Sequence, residues 1–330
     1  MTATFGADPG SIVATDVAWE GGLVAIGHAR ESGAEAGIPS PRIWRSEDGV
    51  SWTEDEPDLG IAGVALIGIE VRDDGRFMLI GQTGSPMEAG QGTAAWVSPD
   101  GIDWEPIDMP MEGPALAFDR GALGYVVVAG GELWFSVDGT SWSMTADGVI
   151  DAAAGDEGFV AVRRTEEEGS PGTLASSDGV TWFESDDFAL NVLDVVSMDG
   201  DWLATGVTAD PFDIFVWHSE NGLDWTPILD VNDLTPEDGP KTGRGLEYDS
   251  ISGATLAGGV GRGFVTLTNN HCCAMLPWSH GVWATADGET WEPVVEGDAL
   301  VAGVAGDQEL TVLVGHLGRG EDAAFWLLDR

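Results

Sequence analysis

Both cysteines of the chain, two of its five histidines and a methionine fall in one stretch, Asn269 to His280 (NNHCCAMLPWSH). Imidazole and thiolate are ligands of zinc and copper, so His271, Cys272, Cys273 and His280 offer four donors for a transition metal, Zn or Cu. Their spacing matches no established metal pattern. Adjacent cysteines do not readily hold one ion together, and in an oxidising compartment they instead form a strained vicinal disulfide that stiffens a loop. Two readings therefore stand side by side: a metal site, or a disulfide (or two free thiols) with surface histidines.

What must position such a loop is set by a repeat. Six copies of Ser/Thr-x-Asp/Asn-Gly-x-x-Trp run through the chain: Ser46 to Trp52, Ser98 to Trp104, Ser136 to Trp142, Ser176 to Trp182, Ser219 to Trp225 and Thr285 to Trp291. The Asp-Gly or Asn-Gly pair supplies the positive φ angles of a tight turn between twisted strands, and the Asp or Asn side chain accepts bonds from the turn amides. A second Trp stands two residues before the Ser or Thr in five copies (Trp44, Trp96, Trp134, Trp217, Trp283), on the strand face that the hydroxyl shares. Leu174 replaces it in the sixth. Indoles in step with a repeat are packing groups between units, not a ligand cage.

The copies begin 38 to 66 residues apart with a strand on either side, the mark of a propeller array. Upstream of each lies an apolar run, GLVAIG (22–27), RFMLIG (76–81), GYVVVAG (124–130), GFVAVR (158–163), DWLATG (201–206) and GFVTLT (263–268), and a seventh, LTVLVG (310–315), follows the last copy. Before these come segments of small residues, such as DAAAG (151–155) and VAGVAG (301–306), which suit the crowded innermost strand of a blade. Seven such units fit. The seventh stops at Phe325-Trp326-Leu327-Leu328 without a repeat turn, so residues near Thr2 to Phe5 are expected to supply its outer strand and close the ring, covering an edge that would otherwise be exposed. The expected fold is an all-β, seven-bladed β-propeller forming a single domain over residues 1–330.

The six copies resemble the Asp-box, or BNR, repeats of the sialidase-like propellers, in a short form with Asp and Gly adjacent. The resemblance covers the chain from about Ser11 onward. It implies fold more than function, because the same boxes decorate glycosidases, lectin-like modules, assembly factors and scaffolds. Sialidases work with three arginines gripping a carboxylate, a Tyr nucleophile paired with Glu, and an Asp acid/base. Here Arg30, Arg42, Arg163, Arg164, Arg244 and Arg319 are available, and Glu247-Tyr248-Asp249 is the nearest match to the nucleophile. Pro41-Arg42-Ile43-Trp44 only partly matches the Arg-Ile-Pro element of those enzymes. Neighbours on a strand point to opposite faces, so Glu247 activates Tyr248 only if the backbone kinks.

In a four-stranded blade the turns after strands one and three open on one face, which therefore carries all six repeat turns. The longer connections open on the other: 28–42, 82–94, 164–173, 207–214, 269–281 and 316–324, with the crossover 230–248. Irregular loops on a rigid scaffold are where binding usually lives. Aligning the second strands puts His28, Gln82, Gly130, Arg164, Val207, Asn269 and His316 at equivalent positions. Four of five histidines then gather on blades six, seven and one, and His28, His271, Cys272, His280 and His316 form the candidate metal set. His218, beside a repeat turn, reads as structural. Arg42, Arg164, Lys241, Arg244 and Tyr248 are the candidate ligand contacts, the last three in the longest crossover. Asp16, Asp151, Asp194 and Asp249 recur near the starts of first strands, where a ring of carboxylates around a central channel would hold water or a cation.

A net charge of -44 with a single lysine excludes nucleic acid and anionic membranes as partners, because the whole field opposes phosphate. No apolar stretch is long enough to span a bilayer and no leader pattern is visible. The expectation is a monomeric extracellular or envelope-associated module whose leader precedes this numbering, with the cytoplasm left open. Its partner would be a glycan or a protein. The alternative is an enzyme on the same face, metal-dependent or, more distantly, a sialidase-like glycoside hydrolase.

Overall fold

The computed structural model describes residues 2–6, 10–31, 39–84, 91–164, 172–185, 191–207, 214–234, 253–259, 261–269, 278–295, 299–306, 310–317 and 322–328. They form seven four-stranded antiparallel sheets, the blades of a β-propeller, with no α-helix among the described residues. From the centre outward, blade one comprises Gly10–Trp19, Leu23–Glu31, Ser40–Ser46 and Thr53–Asp55, and blade two Val64–Val71, Phe77–Thr83, Gly92–Ser98 and Glu105–Ile107. Blade three is Ala115–Gly121, Gly124–Ala129, Glu132–Ser136 and Ser143–Asp147, and blade four Val149–Ala154, Phe159–Arg163, Gly172–Ser176 and Phe183–Glu184. Blade five is Asn191–Met198, Asp201–Val207, Ile214–Ser219 and Thr226–Asp230, followed by a 3-10 turn, Val231–Leu234. Blade six is Gly253–Gly259, Arg262–Asn269, Trp278–Thr285 and Glu292–Val295. Blade seven takes Ala299–Gly306, Thr311–Leu317 and Asp322–Leu328 from the end of the chain and Thr2–Gly6 from its beginning, with Thr2 opposite Trp326 and Phe5 opposite Ala323.

Burial follows radial position. Second strands have neighbouring blades on both faces, so they read as unbroken apolar runs; every residue of Gly124–Ala129 is buried. Seven apolar clusters fill the gaps between consecutive blades. Between blades seven and one, Val312, Val314, Ala323 and Phe325 pack on Ile12, Leu23, Ala25 and Trp44. Phe325, fully buried, lies 5.3 Å from Trp44 edge-on and 4.4 Å from Trp52 stacked, so the repeat's indoles are indeed packing groups.

The innermost strands share a device that the small-residue pattern does not announce. In six blades the register shifts at one equivalent place: Ala14/Asp16, Leu66/Gly68, Ala115/Ala117, Val149/Asp151, Val192/Asp194 and Val301/Gly303. A bulge re-aims the side chains around it. Asp16, Asp151 and Asp194 are each the first paired residue after it.

The repeat turns consume their own polar groups. In the first, Ser46 Oγ accepts from Gly49 N at 2.8 Å and donates to Asp48 Oδ1 at 3.1 Å, while that same oxygen accepts from Val50 N at 2.8 Å and Ser51 N at 2.7 Å. The pattern recurs in the other five, with Asn221 serving in the fifth. One expectation is corrected: only the Gly has positive φ, 68° to 74°, and the Asp or Asn does not. Its side chain, bonded two and three residues ahead, bends the chain in place of a second left-handed residue. Asp178→Ala is accordingly expected to lower the urea midpoint of unfolding and to leave ligand binding unchanged.

Candidate functional site

The seven innermost strands line a central cavity of about 500 Å³ whose walls, among the described residues, carry five carboxyl groups, Asp16, Glu70, Asp119, Asp151 and Asp194, and one guanidinium, Arg120. The carboxylates are tied across blade boundaries. Asp16 Oδ2 accepts from Ile69 N of blade two at 2.9 Å, Asp119 Oδ2 from Ala154 N of blade four at 2.8 Å, Asp151 Oδ2 from Val195 N of blade five at 3.0 Å and Asp194 Oδ2 from Leu256 N of blade six at 2.8 Å. Thr266 continues the series, its Oγ1 accepting from Val301 N of blade seven at 3.2 Å. The carboxyl groups of Glu70 and Asp119 influence each other's protonation across the boundary of blades two and three, as do those of Asp151 and Asp194 between blades four and five. Gly303 makes room for Asp16, since a Cβ there would stand 2.9 Å from its Oδ1.

Two carboxyl groups near each other in a buried site do not readily ionise together. Burial, the largest influence on each, pushes Asp16 up to about 7 and Asp119 up to about 6, and raises Asp151. Glu70 and Asp194 go well above the usual carboxylate range, burial being joined by the charge of Asp119 and Asp16 on the one and of Asp151 on the other. Backbone amides oppose the rise in Asp16, Asp119, Asp151 and Asp194. In the exposed repeat turns the balance reverses: bonds from the turn amides hold Asp178 down at about 2, and the amide and hydroxyl of Thr290 do the same for Asp287. The channel acids are thus interblade ties whose burial favours the protonated form, and no group of three or more metal-ligating side chains occurs among the described residues. Of the four acids expected there, Asp16, Asp151 and Asp194 line the cavity, whereas Asp249 lies outside the described residues. Glu70 and Asp119 were missed. Their one signal is an acid near the end of an innermost strand with Arg72 or Arg120 close behind.

The opposite face is described only in part. His271, Cys272, Cys273, Lys241, Arg244 and Tyr248 lie outside the described residues, as do Glu247 and Arg319, and of His280 the structure describes its place in the strand Trp278–Thr285. His28 and His316 do occupy equivalent positions, each one residue beyond the second-strand glycine (Gly27, Gly315) that pairs just before the bulge. They do not face each other. Val312 and Val314 pack toward blade one, so His316 on the same strand face does too, while Val24 and Ile26 pack toward blade two and direct His28 there. The sheet of blade one stands between the two rings. His28 is held neutral, pushed down to about 4 by burial and then by the charge of Arg30, and its Nδ1 has no hydrogen-bond partner among the described residues.

Arg42 is already engaged. Its guanidinium contacts Glu54 at 3.1 Å and Glu56 at 2.8 Å and donates to Ser40 Oγ, so an anionic ligand would have to displace two carboxylates. Arg164 is exposed at the end of blade four's second strand. His218 Nε2 lies 2.9 Å from Asp201 Oδ2, beside Gly288 of the sixth repeat turn, in keeping with a structural role.

No protein-family model matches the chain, and no curated protein matches it. Solved structures do. An ancestral GH74 enzyme superposes with a TM-score of 0.66 at 12% identity over 99% of this chain, which spans 49% of that one. Virginiamycin B lyase from Staphylococcus aureus gives 0.60 at 9% identity, covering 98% of both chains. A Hadza microbial sialidase gives 0.51 at 14% identity over 99% of this chain and 68% of that one. At such identities the likeness is one of fold: a propeller, shared by proteins with different activities.

Proposed function

We propose that the chain is a binding or scaffold module, an Asp-box propeller of the short-box kind, that recognises a glycan or a protein on the face opposite its repeat turns. The ring is closed by the N-terminal strand into one domain, which acts as a monomer outside the cytoplasm or in the cell envelope. The observation that carries this reading is the inward bonding of the repeat turns, whose hydroxyl oxygen and one oxygen of the Asp or Asn are spent on their own amides. A face so regular and self-satisfied is scaffold, and recognition falls to the unequal connections at the other end. There Lys241, Arg244 and Tyr248 share one crossover and Arg164 is exposed, whereas Arg42 is the weakest of the proposed contacts because two glutamates hold it.

The second reading is an enzyme on that same face, supported by the named activities of the fold neighbours and by a neutral His28. A zinc or copper ion would be held by His271, Cys272 and His280 with either His28 or His316; a sialidase-like hydrolase is the lesser variant. Protein purified without chelator separates the two. On the binding reading it carries no stoichiometric metal and still retains a ligand on a glycan array or from a panel of candidate proteins. Stoichiometric Zn or Cu, lost on His271→Ala and on His280→Ala, would replace this reading by the enzymatic one.

A further inference from the structure

The fifth repeat turn carries Asn where the other five carry Asp, and its Asn221-Gly222 is the one Asn-Gly pair in the chain. Such a pair is chemically labile, because glycine has no side chain to shield its backbone nitrogen and lets the chain turn that nitrogen toward the asparagine amide. Gly222 N then attacks Asn221 Cγ. The N–Cγ bond forms as the Cγ–Nδ2 bond breaks, and Nδ2 leaves as ammonia with the proton that Gly222 N gives up. Water opens the resulting succinimide at either carbonyl, giving Asp or iso-Asp.

The folded turn withholds every group that this reaction needs. Gly222 N–H is buried and donates to Ser219 Oγ at 2.8 Å, which keeps base from its proton. Asn221 Oδ1 accepts from Leu223 N and Asp224 N, both at 2.9 Å, and from Ser219 Oγ at 3.2 Å, while Nδ2 donates to Asp224 Oδ2 at 2.8 Å. Gly222 O is held as well, by Trp225 Nε1 at 3.1 Å and by Thr173 Oγ1 of blade four at 3.3 Å. The turn sits so closely on blade four that a Cβ on Gly222 would stand 2.4 Å from Val160 and 3.0 Å from Ala175. Bringing Asn221 Cγ over Gly222 N therefore means breaking these bonds and lifting the turn off blade four, a local opening.

Asparagine also suits this turn better than aspartate would. A carboxylate at 221 would meet Asp224 where the amide now donates to it. The second repeat has that pairing, Asp100 with Asp103, and its bond from the last turn amide is 3.3 Å, against 2.6 to 2.9 Å in the other five. Deamidation thus exchanges a tie for a repulsion, and the iso-Asp product lengthens the turn backbone by a methylene.

We propose that Asn221 is a covalent modification site gated by the fold: it stays intact while the fifth turn is seated on blade four and deamidates when the turn opens, leaving a weakened turn that opens more readily. The change is a one-way mark of opening on the face that carries the repeat turns, and it does not depend on which ligand the other face takes.

The test is peptide mapping by mass spectrometry, with Asn, Asp and iso-Asp at 221 resolved, of the full chain held at mildly alkaline pH either folded or in concentrated urea. Deamidation in urea is expected to outpace that of the folded chain by at least about a hundredfold, a ratio set by the opening equilibrium. Ser219→Ala, which releases Gly222 N–H, should speed the folded chain about tenfold and leave the rate in urea unchanged. Asp48→Ala loosens the turn of blade one, far from Asn221, and should change the rate less than about twofold. Asn221→Asp should lower the urea midpoint of unfolding. A smaller ratio between urea and folded rates, a Ser219→Ala rate no higher than the parent's, equal acceleration by Asp48→Ala, or an undiminished Asn221→Asp midpoint would overturn the proposal. If Ser219→Ala fails to fold, Asp224→Ala decides: it removes only the exposed acceptor of Nδ2 and should speed the folded chain about threefold.

Discussion

Deleting residues 1–8 will lower the urea midpoint of unfolding far more than removal of an unpaired tail would. The deletion takes away Thr2–Gly6, the outer strand of blade seven, and leaves Asp322–Leu328 as a bare edge. It also removes Phe5, which packs 5.7 Å from Phe325 and 6.3 Å from Trp44 in the cluster between blades seven and one. A fully buried Phe lost from a core costs about 3–5 kcal/mol; Phe5 is half-buried, so about 2–3 kcal/mol is expected from the ring, with the strand's ladder bonds in addition. The uncovered edge is expected to pair with a second copy, so dimers should appear on gel filtration of the truncated chain. An unchanged midpoint with a monomeric elution would show that the N-terminal strand does not hold the propeller together.

Stability will fall as pH rises from about 4 to about 7, the reverse of what most carboxylates produce. The sign follows from proton binding. Asp16 and Asp119 have folded values of about 7 and about 6 against an unfolded value near 3.8, so between those limits the folded chain holds protons that the unfolded chain has released. Their contribution is fully present below about pH 4 and is lost as pH passes through 6 to 7, and the raised Glu70, Asp151 and Asp194 act in the same direction. The repeat-turn acids do the opposite: Asp178 and Asp287, held at about 2, stabilise the fold above about pH 4 and lose that contribution as pH falls through 2. A stability maximum at about pH 4 to 5 follows, read as the midpoint of urea unfolding across pH. Relief of the -44 net charge at low pH adds a slope of the same sign, so the comparison is with Asp16→Asn/Asp119→Asn. That variant should lose a few kcal/mol of the difference between pH 5 and pH 8, an order of magnitude from the linkage of two raised groups. A slope identical to the parent's would mean that the channel acids titrate as ordinary surface carboxylates.

The blades were legible because two signals recur in phase: a turn whose Ser, Asp, Gly and Trp have fixed duties, and an apolar run that two neighbouring blades must cover. The lack of an outer strand after Phe325 to Leu328 pointed back to the N-terminus for the same reason. Side-chain direction was less accessible. His28 and His316 were correctly aligned, but strand alternation sends equivalent positions in consecutive blades into different gaps, so the alignment that grouped them also separates them. The channel acids were found only where they follow the bulge directly. Glu70 and Asp119 sit further along their strands, and the bulge, which sets the reference, has no residue signature of its own.

The central claim is that one face of the propeller is scaffold and the other recognises the main ligand. The measurement that tests it most directly is calorimetry of the ligand found on the array or panel, against the parent chain, Asp178→Ala and Lys241→Ala/Arg244→Ala/Tyr248→Ala. The account predicts that Asp178→Ala is less stable but binds as the parent does, and that the triple variant keeps its melting temperature while losing about tenfold or more in affinity. Loss of binding in Asp178→Ala with the triple variant unaffected would contradict it.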